Sequence, residues 1–530
     1  MKKQLLYPLF FCLSLNCYSQ KILWEQTLGG NNSEYLLDMI PTADNGFLLA
    51  GATQSFKSGD LTKERSSNYD AWLWKMRASG KKEWDLRIGG NGDNFLNSVA
   101  HTLKDGGFIL GLSSSSDRDN YKTESLIGKS DAWIIKLDAA RNVLWQKAYG
   151  GLEKEELVKV LPLIGGDYIL LINSNSSSGG NKAVPYYGGQ DIWVIRINSE
   201  GVIKWQRSFG GEYDDIGSDI IATSDKGFLI GGYSNSGVSG NKTSDSFGNN
   251  DYWVIKINAD GKELWQKTYG SEGNDELKQI QEVSKDGYRL YGISDSEVGT
   301  AKNSGLQSEV DYWSLDIDNQ GEVKQELSYG YGSRNFLSNG LVKDNGTILL
   351  GGTTLEKTKQ GTKVSFLGTL LNKEGDVLWE NSISGKGENV LSKLIETRDG
   401  SYVFAGTSDS KPDREKSSQK GMNDFWLVKV KGKTSDKNNE TQEETDNDTS
   451  KEKLKIEAIP NPVVTYTNII IPVEYKAGVL KLYDITGRIL YQQVIKNQTE
   501  PLNLSGYSRG TYIITVKTDE IEDSVNIVKE

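Results

Sequence analysis

Short segments in which apolar residues alternate with polar ones, or run together, recur along most of this chain, and turns rich in Asp, Asn and Gly separate them. The stretch from Asp251 to Trp265 shows the pattern best. It reads Asp-Tyr-Trp-Val-Ile-Lys-Ile, then Asn-Ala-Asp-Gly, then Lys-Glu-Leu-Trp. Such short apolar and alternating segments predict strands, and an Asp-Gly turn accepts the positive φ that a tight hairpin needs. The stretch therefore predicts an antiparallel hairpin.

This hairpin repeats along the chain. Its final tryptophan recurs every 60 or 61 residues until Gln325 takes the position, and a last interval of 54 then leads to Trp379; the earlier members are Trp24, Trp84, Trp145, Trp205 and Trp265. A second turn precedes each hairpin, beginning at Asp44, Asp105, Gly165, Asp225, Lys285, Asp344 and Arg398. Each unit thus has four strands, which in the first unit are A (36–42), B (47–52), C (71–77) and D (82–88). Seven such units predict an all-β fold, a seven-bladed β-propeller.

The seventh unit lacks a strand D of its own. In earlier units the strand C tryptophan lies twelve residues before the strand D position, but twelve residues after Trp426 the chain has reached Asn438, in a polar tail. Residues 21–30, ahead of the first unit, copy the strand D pattern. Pairing them with strand C of the seventh unit would close the ring and remove two open sheet edges. We therefore expect the propeller to span residues 21–433 and to be closed by its N-terminal strand.

The sixth unit departs most from the repeat. Leu367 takes the place of the strand C tryptophan, Ser365 takes the place of the aspartate before it, and the loop between strands B and C is shorter, at 353–363. We interpret this unit as a degenerate blade.

Residues 1–20 have the pattern of a secretory signal peptide, with Met-Lys-Lys, an apolar run and a polar end at Gln20. The run is too short to span a bilayer. Acylation of Cys17, as in a lipoprotein, is an alternative that the bulky Asn16 disfavours. Both cysteines, Cys12 and Cys17, lie in this segment, so a chain without it would have no disulfide and no thiolate.

The charge of the chain narrows the range of partners. Loss of Lys2 and Lys3 with the signal peptide would take the net charge from −11 to −13, and no basic cluster interrupts this balance. Nucleic acid and anionic membranes are therefore not expected partners. We expect a monomer.

Beyond the repeats, residues 434–453 form a polar, acidic stretch with no apolar residue to bury, which predicts a disordered linker. Residues 454–530 return to alternating strands and predict a small immunoglobulin-like β-sandwich. This segment opens on Pro460-Asn-Pro, continues through Tyr483-Asp-Ile-Thr-Gly-Arg and Gly510-Thr-Tyr, and ends near Lys529.

These motifs, in this order, resemble the type A C-terminal sorting domain of the Bacteroidetes type IX secretion system, over residues 455–529. The resemblance implies that residues 454–530 bind the type IX secretion machinery. It also implies export through the periplasm to the outer cell surface or the medium, usually with removal of the domain. A plain accessory sandwich is the alternative.

Most residues that could carry chemistry stand at repeated positions, which favours a role in packing. All of the 13 tryptophans except Trp74 belong to the repeat. An aspartate precedes the strand C tryptophan by two residues in six units, where we expect it to accept backbone N–H groups at the start of strand C; these are Asp70, Asp131, Asp191, Asp251, Asp311 and Asp424. We predict no catalytic and no metal-binding residue, and no cofactor. Calcium stays open because the loops are rich in Asn, Asp and Gly, although no twelve-residue calcium loop is present.

His101 is the one histidine, so a multi-histidine zinc site is excluded, and we expect His101 to be an ordinary strand A residue and not a member of a histidine-based triad. The hairpin of strands C and D is weakly similar to the tryptophan-docking motif of pyrroloquinoline-quinone dehydrogenases. Those enzymes have eight blades and commonly an adjacent cysteine pair, which this chain lacks.

The variable parts of the repeat are the loops between strands B and C. They are long and rich in Ser, Gly, Asn and Lys, and they lie at 53–69, 113–130, 173–190, 234–250, 294–310, 353–363 and 407–423. They should form one rim around the channel, where propellers commonly bind ligands, or they are simply solvated. We predict a secreted or surface binding module for a glycan or protein, with the binding residues unknown. The alternative is a carbohydrate-active hydrolase or lyase that uses carboxylates on the same face.

Overall fold

A computed structural model describes residues 21–432 and 455–530, apart from the single residues 104, 286, 344 and 360. The expected signal peptide (1–20) and linker (434–453) lie outside the described residues. Within them the chain is all-β, and no helix is long and apolar enough to cross a membrane.

The repeat region is a series of strands, nearly all of seven or eight residues. The first strand, β1, is Ile22–Leu28. Three units follow: β2 (Glu34–Pro41), β3 (Phe47–Thr53), β4 (Asp70–Met76), β5 (Lys82–Ile88); β6 (Asn94–His101), β7 (Phe108–Ser114), β8 (Asp131–Leu137), β9 (Val143–Tyr149); β10 (Glu155–Pro162), β11 (Tyr168–Ser174), β12 (Asp191–Ile197), β13 (Ile203–Phe209). The next three are β14 (Asp215–Ala222), β15 (Phe228–Ser234), β16 (Asp251–Ile257), β17 (Glu263–Tyr269); β18 (Asp275–Ser284), β19 (Gly287–Ser294), β20 (Asp311–Asp318), β21 (Val323–Tyr329); β22 (Arg334–Val342), β23 (Ile348–Thr358), β24 (Gly361–Leu371), β25 (Val377–Ile383). The last unit is β26 (Asn389–Glu396), β27 (Tyr402–Ser408) and β28 (Asp424–Val430).

These strands form seven four-stranded antiparallel sheets in residues 21–432, which we number first to seventh along the chain. The strand bounds of the first unit agree with the sequence prediction to within two residues. The seventh sheet has the order β1-β28-β27-β26, so the N-terminal strand pairs with β28, as the missing strand D predicted. The sheets resemble propeller blades. Each strand A contacts strand A of the next sheet, and β26 also contacts β2.

The tryptophans pack between and within these sheets, as their repetition predicted. Those of strand C are fully buried: Trp72, Trp133, Trp193, Trp253, Trp313 and Trp426. Those of strand D reach the next sheet along the chain. Trp145, for example, meets the ring of Tyr168 edge to face and donates its Nε1–H to Ser199 O at 2.8 Å. Gln325, which replaces a tryptophan, makes the same bridge, since its Nε2 donates to Lys373 O at 2.9 Å.

The loop predicted at 353–363 is mostly not a loop. Strands β23 and β24 continue through it as a hairpin in which Thr358 pairs with Gly361. The segment is rich in β-branched residues, and Glu356 lies opposite Lys363 with their charges 4.0 Å apart, so cross-strand pairing is favoured over a loop. The sixth sheet is degenerate as predicted, and Leu367 fills the buried tryptophan position.

The C-terminal domain is a small β-sandwich. A three-stranded sheet has the order β29-β30-β33, with β29 (Glu457–Ile459), β30 (Tyr466–Ile470) and, later in the chain, β33 (Thr499–Asn503). A four-stranded sheet has the order β32-β31-β34-β35, from β31 (Gly478–Tyr483), β32 (Ile489–Ile495), β34 (Gly510–Thr518) and β35 (Glu522–Lys529). Apolar side chains of both sheets share one core, which includes Ile469, Leu480, Leu502 and Ile514.

Candidate functional site: the long-loop face

The loops between strands B and C are built on a buried lysine, a feature that the sequence interpretation missed. Lys122, Lys182, Lys242, Lys302 and Lys416 are each no more than 1% exposed. In four loops the ammonium donates to the carbonyl of a serine two residues past strand B, at 2.5 to 2.7 Å; these acceptors are Ser116, Ser176, Ser236 and Ser296. Lys416 donates instead to Ser408 O at 3.2 Å. These loops are therefore folded around an internal cation.

The first sheet has no such lysine and places an arginine in the same position. Arg87, on strand D, donates to Ser55 O at 2.8 Å, and Ser55 corresponds to Ser116 in the next unit. The same guanidinium contacts Asp70 at 2.7 Å and is 6% exposed. In the first sheet the cation thus comes from strand D and not from the loop itself, but it binds the corresponding loop carbonyl.

The strand C aspartates complete this support. They accept N–H groups of the loop, as predicted: Tyr187 N donates to Asp191 Oδ2 at 2.8 Å, and Phe247 N donates to Asp251 Oδ2 at 2.7 Å. The other carboxylate oxygen lies against the first glycine after strand D. A Cβ on Gly210 would lie 1.9 Å from Asp191 Oδ1, so glycine is required there. The aspartates, the glycines and the loop lysines therefore form one packed unit.

The burial of these groups shifts their proton affinities. Burial raises the pKa of Asp191 to about 7, and the nearby Asp215 carboxylate adds to the rise, although the Tyr187 N–H and Lys182 oppose it. Burial also lowers the pKa of Lys182. Both shifts mean that the charged forms are costly in this environment, as expected where water is excluded. The described residues contain no cluster of three or more His, Cys, Asp or Glu side chains able to hold a metal ion.

The sixth sheet has neither the loop lysine nor the strand C aspartate. The long-loop face has a concave region beside this sheet. A cavity of about 540 Å³ lies there, where the fifth, sixth and seventh sheets meet. Phe336 in its wall is 37% exposed, and Arg334 lies over the Phe336 ring at 5.5 Å. The other charged side chains of the wall are Glu276, Lys278 and Asp295.

The charged groups of this cavity are partly paired. Lys278 Nζ lies 2.8 Å from Glu276 Oε2 and 5.3 Å from the centre of the Tyr233 ring. Asp295 accepts hydrogen bonds from the backbone and side chain of Asn274, at 2.5 and 3.0 Å. The cavity therefore combines an aromatic surface with fixed donors and acceptors, which suits a polar ligand with one apolar side.

The inner strands line a second cavity of about 400 Å³, to which all seven sheets contribute. Hydrogen bonds and ion pairs between neighbouring sheets line the wall of this cavity. Asp38 Oδ2 accepts from Val99 N at 3.1 Å, and Asp219 Oδ2 accepts from Ile280 N at 2.9 Å. Lys159 has in the third sheet the strand A position that Asp38 and Asp219 have in the first and fourth sheets. At this position the side chain is a donor to the next sheet and not an acceptor from it, and Lys159 Nζ lies 2.6 Å from Asp219 Oδ1. These side chains serve the contacts between sheets.

His101 ends strand β6, as predicted, and its ring lies 5.1 Å from that of Phe108. Burial lowers its pKa. It lies away from the long-loop face, beside the C-terminal domain. No catalytic arrangement of His101 with a nucleophile is present in the described part of the chain.

The chain is an all-β, propeller-like protein, and residues 457–530 match the family model described as the secretion system C-terminal sorting domain. That tail is a signal for type IX export, to the medium or the outer surface. The match begins three residues after the predicted start of the domain, at 454.

Solved structures with similar sheets are distant. The WD40 domain of Neurospora crassa Pan2 has 10% identity and a TM-score of 0.40, with 77% of this chain and 96% of that chain covered. The apocarotenoid oxygenase of Synechocystis has 10% identity and a TM-score of 0.32, with 69% and 94% covered. A search of curated proteins finds no significant relative of this chain. The likeness concerns only the fold class and carries no argument about activity.

Proposed function

We propose that the protein is an exported binding module, a closed seven-bladed β-propeller whose long-loop face holds a glycan or a protein. The observation that carries the proposal is the open cavity of about 540 Å³ beside the sixth sheet, with Phe336 and Arg334 in its wall. Burying an aromatic face against the apolar side of a ligand contributes free energy, and the surrounding charges provide orientation. A glycan is the ligand we test first, because a sugar ring offers one apolar face and a rim of hydroxyl groups.

Three features support ring closure. Strand β1 pairs with β28, β26 contacts β2, and Leu36 N donates to Thr407 Oγ1 at 3.0 Å between the first and seventh sheets. The export route that we propose begins with a signal peptide at 1–20 and passes through the periplasm. It ends at the cell surface or in the medium of a Bacteroidetes cell, with the propeller acting as a monomer.

A glycan array probed with residues 21–433 tests the binding role. The Phe336→Ala and Arg334→Ala variants should each weaken binding of a retained glycan by about tenfold, since each contact is worth on the order of 1 to 2 kcal/mol. Tyr213→Ala is the matched control, because Tyr213 is an exposed aromatic residue outside the cavity wall. Binding that is equally insensitive to all three substitutions would place the ligand elsewhere.

The hydrolase or lyase alternative has a specific pair of candidates, because Glu276 and Asp295 both line the cavity. If they are catalytic, Glu276→Gln and Asp295→Asn should abolish the release of reducing ends, or of unsaturated sugars for a lyase, without abolishing binding. A bound glycan that stays intact during prolonged incubation with the wild type would exclude hydrolysis of that glycan.

A further inference from the structure

The C-terminal sandwich contacts the first and second sheets of the repeat region through side chains that both domains supply. Thr499 Oγ1, at the start of β33, donates to Asp44 Oδ2 at 2.6 Å. Asn468 Nδ2, on β30, donates to Gly106 O at 2.7 Å. Both come from the three-stranded sheet of the sandwich. The contact lies at the A–B and C–D turns, on the face opposite the long loops.

Charged and polar groups extend this contact on one side. Arg77 Nη2 donates to Lys496 O at 2.8 Å, and Lys81 Nζ lies 3.1 Å from Glu474 Oε2. The Ser79 hydroxyl also donates to Glu474. The C–D turn of the first sheet is therefore bound at several points.

The repeat itself provides a control for the burial at this contact. An aspartate of the A–B turn pairs with a strand C lysine in four sheets at 2.7 to 2.8 Å, as Asp44–Lys75, Asp105–Lys136, Asp225–Lys256 and Asp399–Lys429. The Asp225 and Asp399 side chains are 54% and 57% exposed, whereas those of Asp105 and Asp44, in the two sheets that the sandwich contacts, are 21% and 0% exposed. The sandwich thus fully covers in the first sheet a pair that the fourth and seventh sheets leave open to solvent.

Apolar surface is covered as well. Trp84 and Phe108 of the repeat region face Pro460, Ile470 and Pro501 of the sandwich, around a cavity of about 270 Å³. Ile470 is only 5% exposed. The contact thus has the apolar centre and polar rim that specific interfaces share.

In the part of the chain that the structure describes, the strands of the other sheet of the sandwich take no part in these contacts. Its hairpin between β31 and β32 exposes several apolar side chains, among them Ile485 at 75%, Val494 at 71% and Ile489 at 50%. Such a group of exposed apolar side chains is typical of a surface that meets another protein.

We propose that the sorting domain is docked on the propeller-like domain through its three-stranded sheet, so that the exported protein presents the four-stranded sheet outward as the side available to other proteins. A linker alone would let the two domains tumble independently. Docking instead fixes which face of the tail is presented, and it means that cleavage of the linker does not by itself expose Trp84 and Asp44.

Cysteine-pair cross-linking in the chain 21–530 tests the docking, since this chain contains no other cysteine. The pair Ser79→Cys with Glu474→Cys joins two residues in contact. The control pair, Ser79→Cys with Ile485→Cys, uses the same cross-linking reagent but places the second cysteine at the end of the β31–β32 hairpin that is remote from Lys496. A short bis-maleimide should join the first pair at least about tenfold faster, because the docked state raises the local concentration of only that pair. Equal rates would overturn docking.

A second substitution separates docking from simple proximity. Thr499→Glu, added to the first pair, sets a carboxylate against Asp44 and should remove most of its rate advantage, because like charges repel at a buried contact. Thr511→Glu is the matched control on the four-stranded sheet, where Thr511 is exposed. An undiminished rate for Thr499→Glu would show that this interface does not hold the domains together.

Discussion

The N-terminal strand carries a large share of the stability that we expect of the repeat region. Leu28 is 4% exposed and belongs to the same apolar cluster as Leu36, Trp72 and Phe425. Replacing such a leucine by alanine costs about 2 to 5 kcal/mol. The first and seventh sheets are joined through this cluster, so the loss should be felt by the whole domain.

Deleting residues 21–30 removes more than Leu28. Trp24 Nε1 donates to Ala78 O at 3.0 Å, and Trp426 Nε1 donates to Glu25 Oε1 at 2.8 Å. Each of these hydrogen bonds contributes about 1 kcal/mol, and the partners left behind would be partly buried. With the pairing to β28 also lost, the deletion should cost roughly 5 to 10 kcal/mol, which is comparable to the whole stability of a typical domain.

Urea unfolding followed by tryptophan fluorescence, with size-exclusion chromatography, measures this loss. We expect the deleted chain to aggregate or to be unfolded at 25 °C, and Leu28→Ala to lower the free energy of unfolding by about 3 kcal/mol. Leu23→Ala is the control in the same strand, because Leu23 is 42% exposed and should cost less than about 1 kcal/mol. The reasoning is refuted if the deleted chain unfolds at the same urea concentration as the parent, or if both leucine variants behave alike.

Four further predictions follow from the loop supports and the tail. Lys242→Met should destabilise the protein by about 3 kcal/mol, because Asp215 and Asp251 lose a buried counter-charge. Lys262→Met, on an exposed turn, is the control and should have little effect. Equal losses of unfolding free energy in urea would show that the buried lysine does not support its loop. Thermal stability should be greatest near about pH 4: the pKa of Asp191 is raised to about 7, so its contribution is complete below the unfolded value of about 4 and is lost as the pH rises from there through 7. Burial raises the pKa of Asp225, but hydrogen bonds from Lys256 and Thr223 outweigh this effect and lower the pKa to about 2. The contribution of Asp225 to stability is therefore lost as the pH falls from about 4 through 2, and Asp191→Asn should flatten only the high-pH side of the stability profile. Chelation of calcium with EGTA should leave the melting temperature unchanged, since buried lysines already neutralise the loop carboxylates, and a clear drop in melting temperature would restore calcium as a ligand. Deletion of residues 454–530 should leave a folded protein in the periplasm, as cell fractionation would reveal, and a truncated protein on the cell surface would contradict the sorting role.

The strands and the turns were predictable because they depend on local patterns, and the pairing of β1 with β28 was predictable because the seventh unit lacks a strand D that residues 21–30 copy. Alternation of apolar residues, an Asp-Gly turn and a recurring tryptophan are each readable within one unit. The strand C aspartates were also interpreted correctly, since a carboxylate just before a strand commonly accepts nearby N–H groups.

The buried lysines were missed because a lysine in a loop rich in Ser and Gly looks like a solvated residue. A signal was nevertheless present: Lys122, Lys182, Lys242 and Lys302 follow each other at intervals of 60 residues, the same period as the tryptophans. Arg87 could not be found in this way, because it reaches the corresponding loop carbonyl from another strand. The cavity beside the sixth sheet depends on three sheets that are distant in sequence, so no local pattern could predict it.

The buried lysine also has a consequence for how this face can change. Each supported loop has anchors in its own unit, a lysine that donates to a loop carbonyl and an aspartate that accepts a loop N–H group. The loop is also tied to the preceding sheet, as by Asn241 Nδ2, which donates to Ser208 O at 2.8 Å. Exposed tip side chains such as Val238, at 64%, lie between these anchors and can be exchanged without removing any of them. The exposed loop tips are therefore variable positions on a fixed support of sheets and buried anchors, and selection or design can vary the tips one at a time.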